Sequence, residues 1–182
     1  MKKTVLLIAF LLAISFPQKI FAQTPPVKGS SATIASAQAV EAQIPDMRVV
    51  ALQNILKKHN SPLLPYASDY VKYADKYNVD WKLLPAISGV ESTFGIALPA
   101  GSYNAYGWGG GSIYFKSWDE GIDTIDSTIR SNYMDKWNAT TVWQIGPIYA
   151  ASPTWSARVN NYMNEMDSEY IRLTSEKLTI TL

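Results

Sequence analysis

Apolar residues recur along this chain at helical spacing, beginning with Val49, Val50, Leu52 and Leu56. That set predicts a helix over residues 46–59, capped by Asp46 and stopped by Asn60, Ser61 and Pro62. A second stripe, Tyr66, Tyr70, Tyr73, Ala74 and Tyr77, predicts a helix over 65–77, with Pro65 in its first turn and Asn78 at its end. Asp80 caps a third over 81–92, in which Pro85 falls early enough to cost little and Gly89 leaves room for a close neighbour. Trp118, Ile122, Ile125 and Ile129 predict a helix over 117–133, opened by a Ser117/Glu120 capping box. Asn138 is the expected cap of a short helix reaching Ile145 and ended by Gly146 and Pro147, which leaves Tyr149 on a loop. Ser152 and Pro153 open the last helix, with Trp155, Val159, Tyr162, Met163, Met166 and Tyr170 on its apolar side. Strand character is confined to residues 113–115 and the tail after Leu173. The expected fold class is mainly α.

Residues 95–112 break the helical period. They hold Gly95, five further glycines, Tyr103, Tyr106 and Trp108, too long and too aromatic a loop to be mere connection. No Gly-Lys-Ser/Thr sequence closes Gly109–Gly111, so the loop is not a phosphate cradle. Just before it stands Glu91, one turn from Ile87 and nearly one turn from Phe94, at the C-terminal end of its helix. Partial desolvation and the helix dipole both disfavour a charged carboxylate there, which suits a proton donor. A surface glutamate near a helix end has the same pattern, and these residues alone leave both readings open. Asp119, Glu120 and Asp123 are candidates for a second carboxylate, but acids in the first turns of a helix are already accounted for by its dipole.

All six Trp and all eleven Tyr fall between Tyr66 and Tyr170, which marks the folded region. Most are expected in the core; those left over, stacking on the apolar faces of sugar rings, make a saccharide the natural ligand. At the N-terminus, Lys2 and Lys3 precede an apolar run over residues 5–16 and a small residue at Ala22, the layout of a secretory signal peptide over 1–22. The run is too short to span a bilayer comfortably, so no stable membrane insertion is expected after cleavage. Residues 23–45, rich in Pro, Ser, Ala, Thr and Gln, read as a flexible linker. Removing residues 1–22 leaves 13 basic against 15 acidic residues, with no basic run beyond Lys57–Lys58, which argues against nucleic acid as a partner. The chain has no cysteine and a single histidine, His59, so thiolate and histidine-cluster metal sites are excluded and no cofactor is expected. No Gly-x-Ser-x-Gly elbow or nucleotide fingerprint occurs.

Three segments come in a suggestive order: Glu91-Ser92-Thr93-Phe94-Gly95, Asn104-Ala105-Tyr106-Gly107-Trp108, and Tyr149-Ala150-Ala151-Ser152-Pro153-Thr154-Trp155 with Val159. Over residues 66–166 this pattern resembles the bacterial peptidoglycan glucosaminidases, the mannosyl-glycoprotein endo-β-N-acetylglucosaminidase-like domain of autolysins and flagellar rod-associated hydrolases. The resemblance implies a lysozyme-like helical fold; the domain is expected over 46–175, with a tail over 176–182. It also implies an exported hydrolase, periplasmic, wall-associated or extracellular, acting on β-1,4 bonds of peptidoglycan glycan strands. Glu91 carries over as general acid and Tyr149 as the active-site tyrosine; Ser92, Phe94, Asn104, Tyr106, Gly107, Trp108 and Trp155 carry over as substrate-binding residues. Departures are Tyr106 for the usual Phe, Trp108 for an aliphatic residue and Trp155 for a second Tyr. A second acid on a hairpin after the loop, used by some members, has no counterpart between Ser112 and Lys116. Lytic transglycosylases share the Glu-Ser pair, but their usual Gly-Leu-Met-Gln segment is missing. They remain an alternative, as does a non-catalytic wall-binding module.

Overall fold

The computed structural model describes residues 45–180, and several of its helices begin at a side-chain cap or end at a left-handed residue that takes up backbone groups a helix leaves free. Helix α1 (Met47–Lys58) is capped by Asp46, whose carboxylate accepts from the Arg48 amide at 2.8 Å. Arg48 also donates two bonds, 2.7 and 2.9 Å, to Asp75 near the end of α2 (Ala67–Tyr77), tying the two helices together. The expected helix over 65–77 arrives in two pieces, a 3-10 turn (Leu64–Tyr66) with Pro65 and then α2, which stops at Asn78 in the left-handed region. Helix α3 (Leu83–Ser92) starts two residues later than expected, after a turn in which Asp80 accepts from the Lys82 amide at 3.0 Å. Helix α4 (Trp118–Thr128) is capped by Ser117, which accepts from the Glu120 amide. The Glu120 carboxylate reaches back to the Lys116 amide rather than to Ser117, so the expected box closes one residue early. Beyond Thr128 the helix widens into a π-helical turn (Ile129–Asp135).

Four expectations need correction. Residues 113–115 form no strand; the Phe115 amide donates to the Ser102 carbonyl, but no ladder follows and no strand occurs among the described residues. Asn138 does not cap the next helix: at φ 53° it turns the chain out of the π-helical segment, and the Ala139 amide closes on the Tyr133 carbonyl. Helix α5 (Val142–Tyr149) is capped instead by Thr141, whose side chain exchanges bonds with Gln144. Gly146 and Pro147 lie inside α5 rather than ending it, so Tyr149 is the last residue of a helix and not a loop residue. A Cβ at Gly146 would fall 1.9 Å from Ser156 Oγ, which shows why α5 can lie directly on the start of α6 (Trp155–Ile180). Helix α6 itself runs through residues 176–180, expected to be a separate tail. The expected signal peptide and linker, residues 1–44, lie outside the described residues.

Helix α6 is the central post, packed against α1, α3 and α5, while α2 bridges α1 and α4. Leu52, Leu56, Ile87, Ile122, Ile125 and Ile145 expose no surface, and each such side chain contributes about 1.5–3 kcal/mol by leaving water. Gly89 gives α3 its seat on α6, since a Cβ there would fall 2.7 Å from the Phe94 ring and 2.9 Å from that of Tyr162. Among the described residues no helix is long and apolar enough to cross a membrane.

One buried group is out of keeping with this core. Asp126 on α4 is 1 % exposed, and neither carboxylate oxygen has a hydrogen-bond partner. Burial, and secondarily the Asp123 charge, pushes its carboxyl well above the ordinary carboxylate range. The folded protein therefore holds a proton that the unfolded chain releases near pH 4, and Asp126 costs stability as pH rises above that value. Asp126→Asn, neutral throughout, removes this slope. In thermal melts from pH 4 to pH 8 the variant should gain on the wild type as pH rises, by up to about 1.4 kcal/mol per pH unit. A difference that stays constant with pH would show that Asp126 is ionised in the fold.

Candidate active site

The site is built around the way α3 stops. Thr93 and Phe94 both take positive φ, 53° and 56°, and the Phe94 amide closes on the Ser88 carbonyl at 3.0 Å. This sharp turn carries Phe94 into the core, fully buried, with its ring 4.4 Å from His59 and 4.9 Å from Tyr162. The expectation that Phe94 shares a face with Glu91 is thereby corrected: the left-handed turn rotates it away. Glu91 itself is exposed, not partly desolvated as its apolar neighbours suggested: in the last turn of α3 Gly89 and Ser92 are buried and only the Glu91 side chain is exposed.

Ser92, next in the chain, is not available to a ligand. It is buried, accepts from the Gly95 amide at 2.9 Å and lies 2.8 Å from the Ala105 carbonyl that it can donate to, pinning the glycine-rich loop to α3. Asn104 does similar work inside the loop. Its amide donates to the carbonyls of Trp108 (2.9 Å) and Ile113 (2.8 Å), and its carbonyl accepts from the Trp108 amide (3.0 Å). Tyr106 is fully buried, with its hydroxyl 2.9 Å from that of Tyr70. Ser92, Phe94, Asn104 and Tyr106, all expected to contact substrate, therefore shape the site from behind. The sequence motif groups them but cannot distinguish a ligand contact from a loop staple.

The remaining expected residues converge on the carboxylate. Gly107, at φ 64°, passes so close that a Cβ there would fall 2.8 Å from Glu91 Oε2. From the other side, Trp155 donates its indole N–H to Glu91 Oε1 at 2.6 Å, although the ring itself is 2 % exposed. Tyr149 stacks on Trp155, centroids 4.8 Å apart at 22°, and donates its hydroxyl to the Tyr106 carbonyl at 2.7 Å. Burial, then the Glu91 and Tyr133 charges, pushes the Tyr149 hydroxyl well above the ordinary phenol range, so it stays protonated. Trp108 completes this aromatic wall 5.8 Å from Tyr149. A fourth member was not foreseen: the Tyr133 ring lies 6.0 Å from Tyr149 and 6.3 Å from Trp108. Tyr133 comes from the π-helical turn, whose extra residue per turn leaves no trace in a 3.6-residue pattern.

No second acid with a free role emerges from the first turns of α4. Asp119 accepts from the Tyr73 hydroxyl at 2.8 Å, Asp123 from Lys76 and Tyr77 at 2.8 Å each, and Glu120 caps Lys116. Clefts elsewhere lack comparable chemistry. One of about 460 Å³ is lined by Gly146, Pro147, Ala150, Ala151, Ser152, Pro153 and Ser156, with no titratable group. Another, of about 360 Å³ between α1 and α6, includes Lys58, Glu165, Glu169 and Arg172, charges already paired with one another. Among the described residues no group of three or more His, Asp or Glu side chains is placed to hold a metal ion.

If Asn104 is a staple, Asn104→Ala should cost about 2–3 kcal/mol, because buried carbonyls lose their donor. A chemical-denaturation midpoint checks it; an unchanged midpoint would return Asn104 to the list of ligand contacts. No protein-family model matches the chain and no curated protein matches it.

Proposed function

We propose that the protein is an exported glycoside hydrolase of lysozyme-like fold, cleaving β-1,4 bonds in the glycan strands of peptidoglycan with Glu91 as general acid. The observation that carries this reading is a convergence. Three short segments, 91–95, 104–108 and 149–155, place one exposed carboxylate between a glycine backbone and an indole N–H, beside an aromatic wall. These are also the segments whose order resembles the peptidoglycan glucosaminidases. A carboxyl at the open end of a helix, backed by ring faces that can stack on sugars, suits protonation of a glycosidic oxygen.

In this scheme Glu91 gives its proton to the leaving oxygen as the bond to the anomeric carbon breaks. The oxocarbenium-like charge left on the sugar must then be met. The acids in the first turns of α4 are committed to Tyr73, Lys76, Tyr77 and the Lys116 amide, and Asp126 is buried in the core, which favours attack by the substrate's own acetamido oxygen over a second enzyme carboxylate. Tyr149 keeps its proton on the Tyr106 carbonyl, so its oxygen can only accept from a bound sugar hydroxyl while its ring lines the groove.

The shortage of a second acid equally suits a lytic transglycosylase, in which the sugar's own 6-hydroxyl captures the anomeric carbon. Mass spectrometry of digested peptidoglycan separates the two, since transglycosylation leaves 1,6-anhydro ends and hydrolysis leaves reducing ends. Glu91→Gln should abolish clearing of a cell-wall zymogram, a loss of at least about 100-fold. Clearing by the variant equal to wild type would overturn the assignment. Saccharide binding by the wild type without any released fragment would identify a non-catalytic wall-binding module.

A further inference from the structure

The contact between Trp155 and Glu91 carries an assignment finer than the identity of the acid. An exposed glutamate in the last turn of a helix has freedom in three side-chain torsions. Its two oxygens are chemically equivalent until something distinguishes them. Here their surroundings differ sharply: Oε1 takes the indole N–H at 2.6 Å, while Oε2 faces the Cα of Gly107. The asymmetry matters because an indole N–H can donate but never accept. Once Glu91 is protonated, the carbonyl oxygen is a better acceptor for the Trp155 N–H than the hydroxyl oxygen, which favours Oε1 as the carbonyl and places the proton on Oε2.

The donor is itself immobilised. Trp155 is buried, stacked on Tyr149, and Tyr149 is anchored through its hydroxyl to the Tyr106 carbonyl. Tyr106 is in turn fully buried against Tyr70. On the far side of Trp155, a Cβ at Gly146 would fall 3.1 Å from Trp155 Cε3, so α5 packs directly on its ring. The N–H is thus a fixed point in the scaffold rather than a side chain that follows the carboxylate.

We infer that Trp155 is a positioning residue that selects Glu91 Oε2 as the proton-delivering oxygen and directs delivery across the bare Cα of Gly107. This rests on Glu91 being the general acid. In the step, the proton passes from Oε2 to the glycosidic oxygen, which also takes the electron pair of its bond to the anomeric carbon. Glu91 is left as a carboxylate whose new charge is shared with the Trp155 N–H, and water returns the proton after product leaves. Gly107 belongs to the same device, because any side chain there would occupy the space in front of Oε2.

Two measurements on the protein test this. Trp155→Phe keeps a buried ring against Tyr149 but has no N–H; on soluble glycan strands its kcat should fall about tenfold with KM within about twofold of wild type. Unchanged kcat in a folded variant overturns the inference, as does a loss expressed mainly in KM. The second readout needs no change at Trp155. In 1H–15N spectra of the wild type and Glu91→Gln, the indole proton absent from Trp155→Phe should move upfield when the carboxylate becomes an amide. If Trp155→Phe does not fold, that proton is the one indole signal that moves in Glu91→Gln, and a spectrum in which none moves overturns the contact. Should Glu91→Gln remain active while that signal moves, the general-acid reading fails and the contact stands, so the two failures are distinguishable.

Discussion

Thr93 and Phe94 spend two consecutive residues in the left-handed region, a conformation costing roughly 1–2 kcal/mol at each non-glycine position. Complete burial of the Phe94 ring between His59 and Tyr162 returns about 1.5–3 kcal/mol, and the Ser92 hydroxyl takes up the freed Gly95 amide. The two sides are of similar size. The turn therefore persists only because core and loop hold it together, and it is this turn that leaves Glu91 as the last outward-facing side chain of α3.

From that turn the rest of the site follows by contact. Ser92 holds the Ala105 carbonyl, Asn104 folds the loop so that Gly107 passes the carboxylate, and Tyr149 ties the Tyr106 backbone to the stack on Trp155. Only Glu91, Gly107, Trp108, Tyr133 and Tyr149 keep surface for a ligand, while Ser92, Asn104, Tyr106 and Trp155 are buried support. The division has a simple physical basis. A loop of 18 residues with six glycines is costly to order, and short polar side chains can fix it only by turning inward to backbone groups.

Three helix ends were legible from a local signal. Asp46 and Ser117 cap as their chemistry demands, and Asn78 adopts the left-handed stop. Local signals misled where a neighbouring element overrode them. Gly146 and Pro147 read as a helix stop, yet α5 continues through them because Thr141 and Gln144 fix its start and its packing on Ser156 favours a glycine. Residues 113–115 have β-prone side chains but no partner strand, so they remain coil with Phe115 packed inward.

By itself the sequence determined the helical class and the stripes that form the core. Those are properties of spacing and composition, which act over one or two turns of chain. The grouping of Glu91, the 104–108 loop and the 149–155 segment was only an expectation from a family resemblance, and it is the folded contacts that bring them together. Tertiary structure alone decided which members of the motif face solvent, that Tyr133 joins the wall through a π-helical turn, and that one oxygen of Glu91 is bound to Trp155, 64 residues further on. Such choices depend on contacts between residues far apart in sequence, and no periodicity records them.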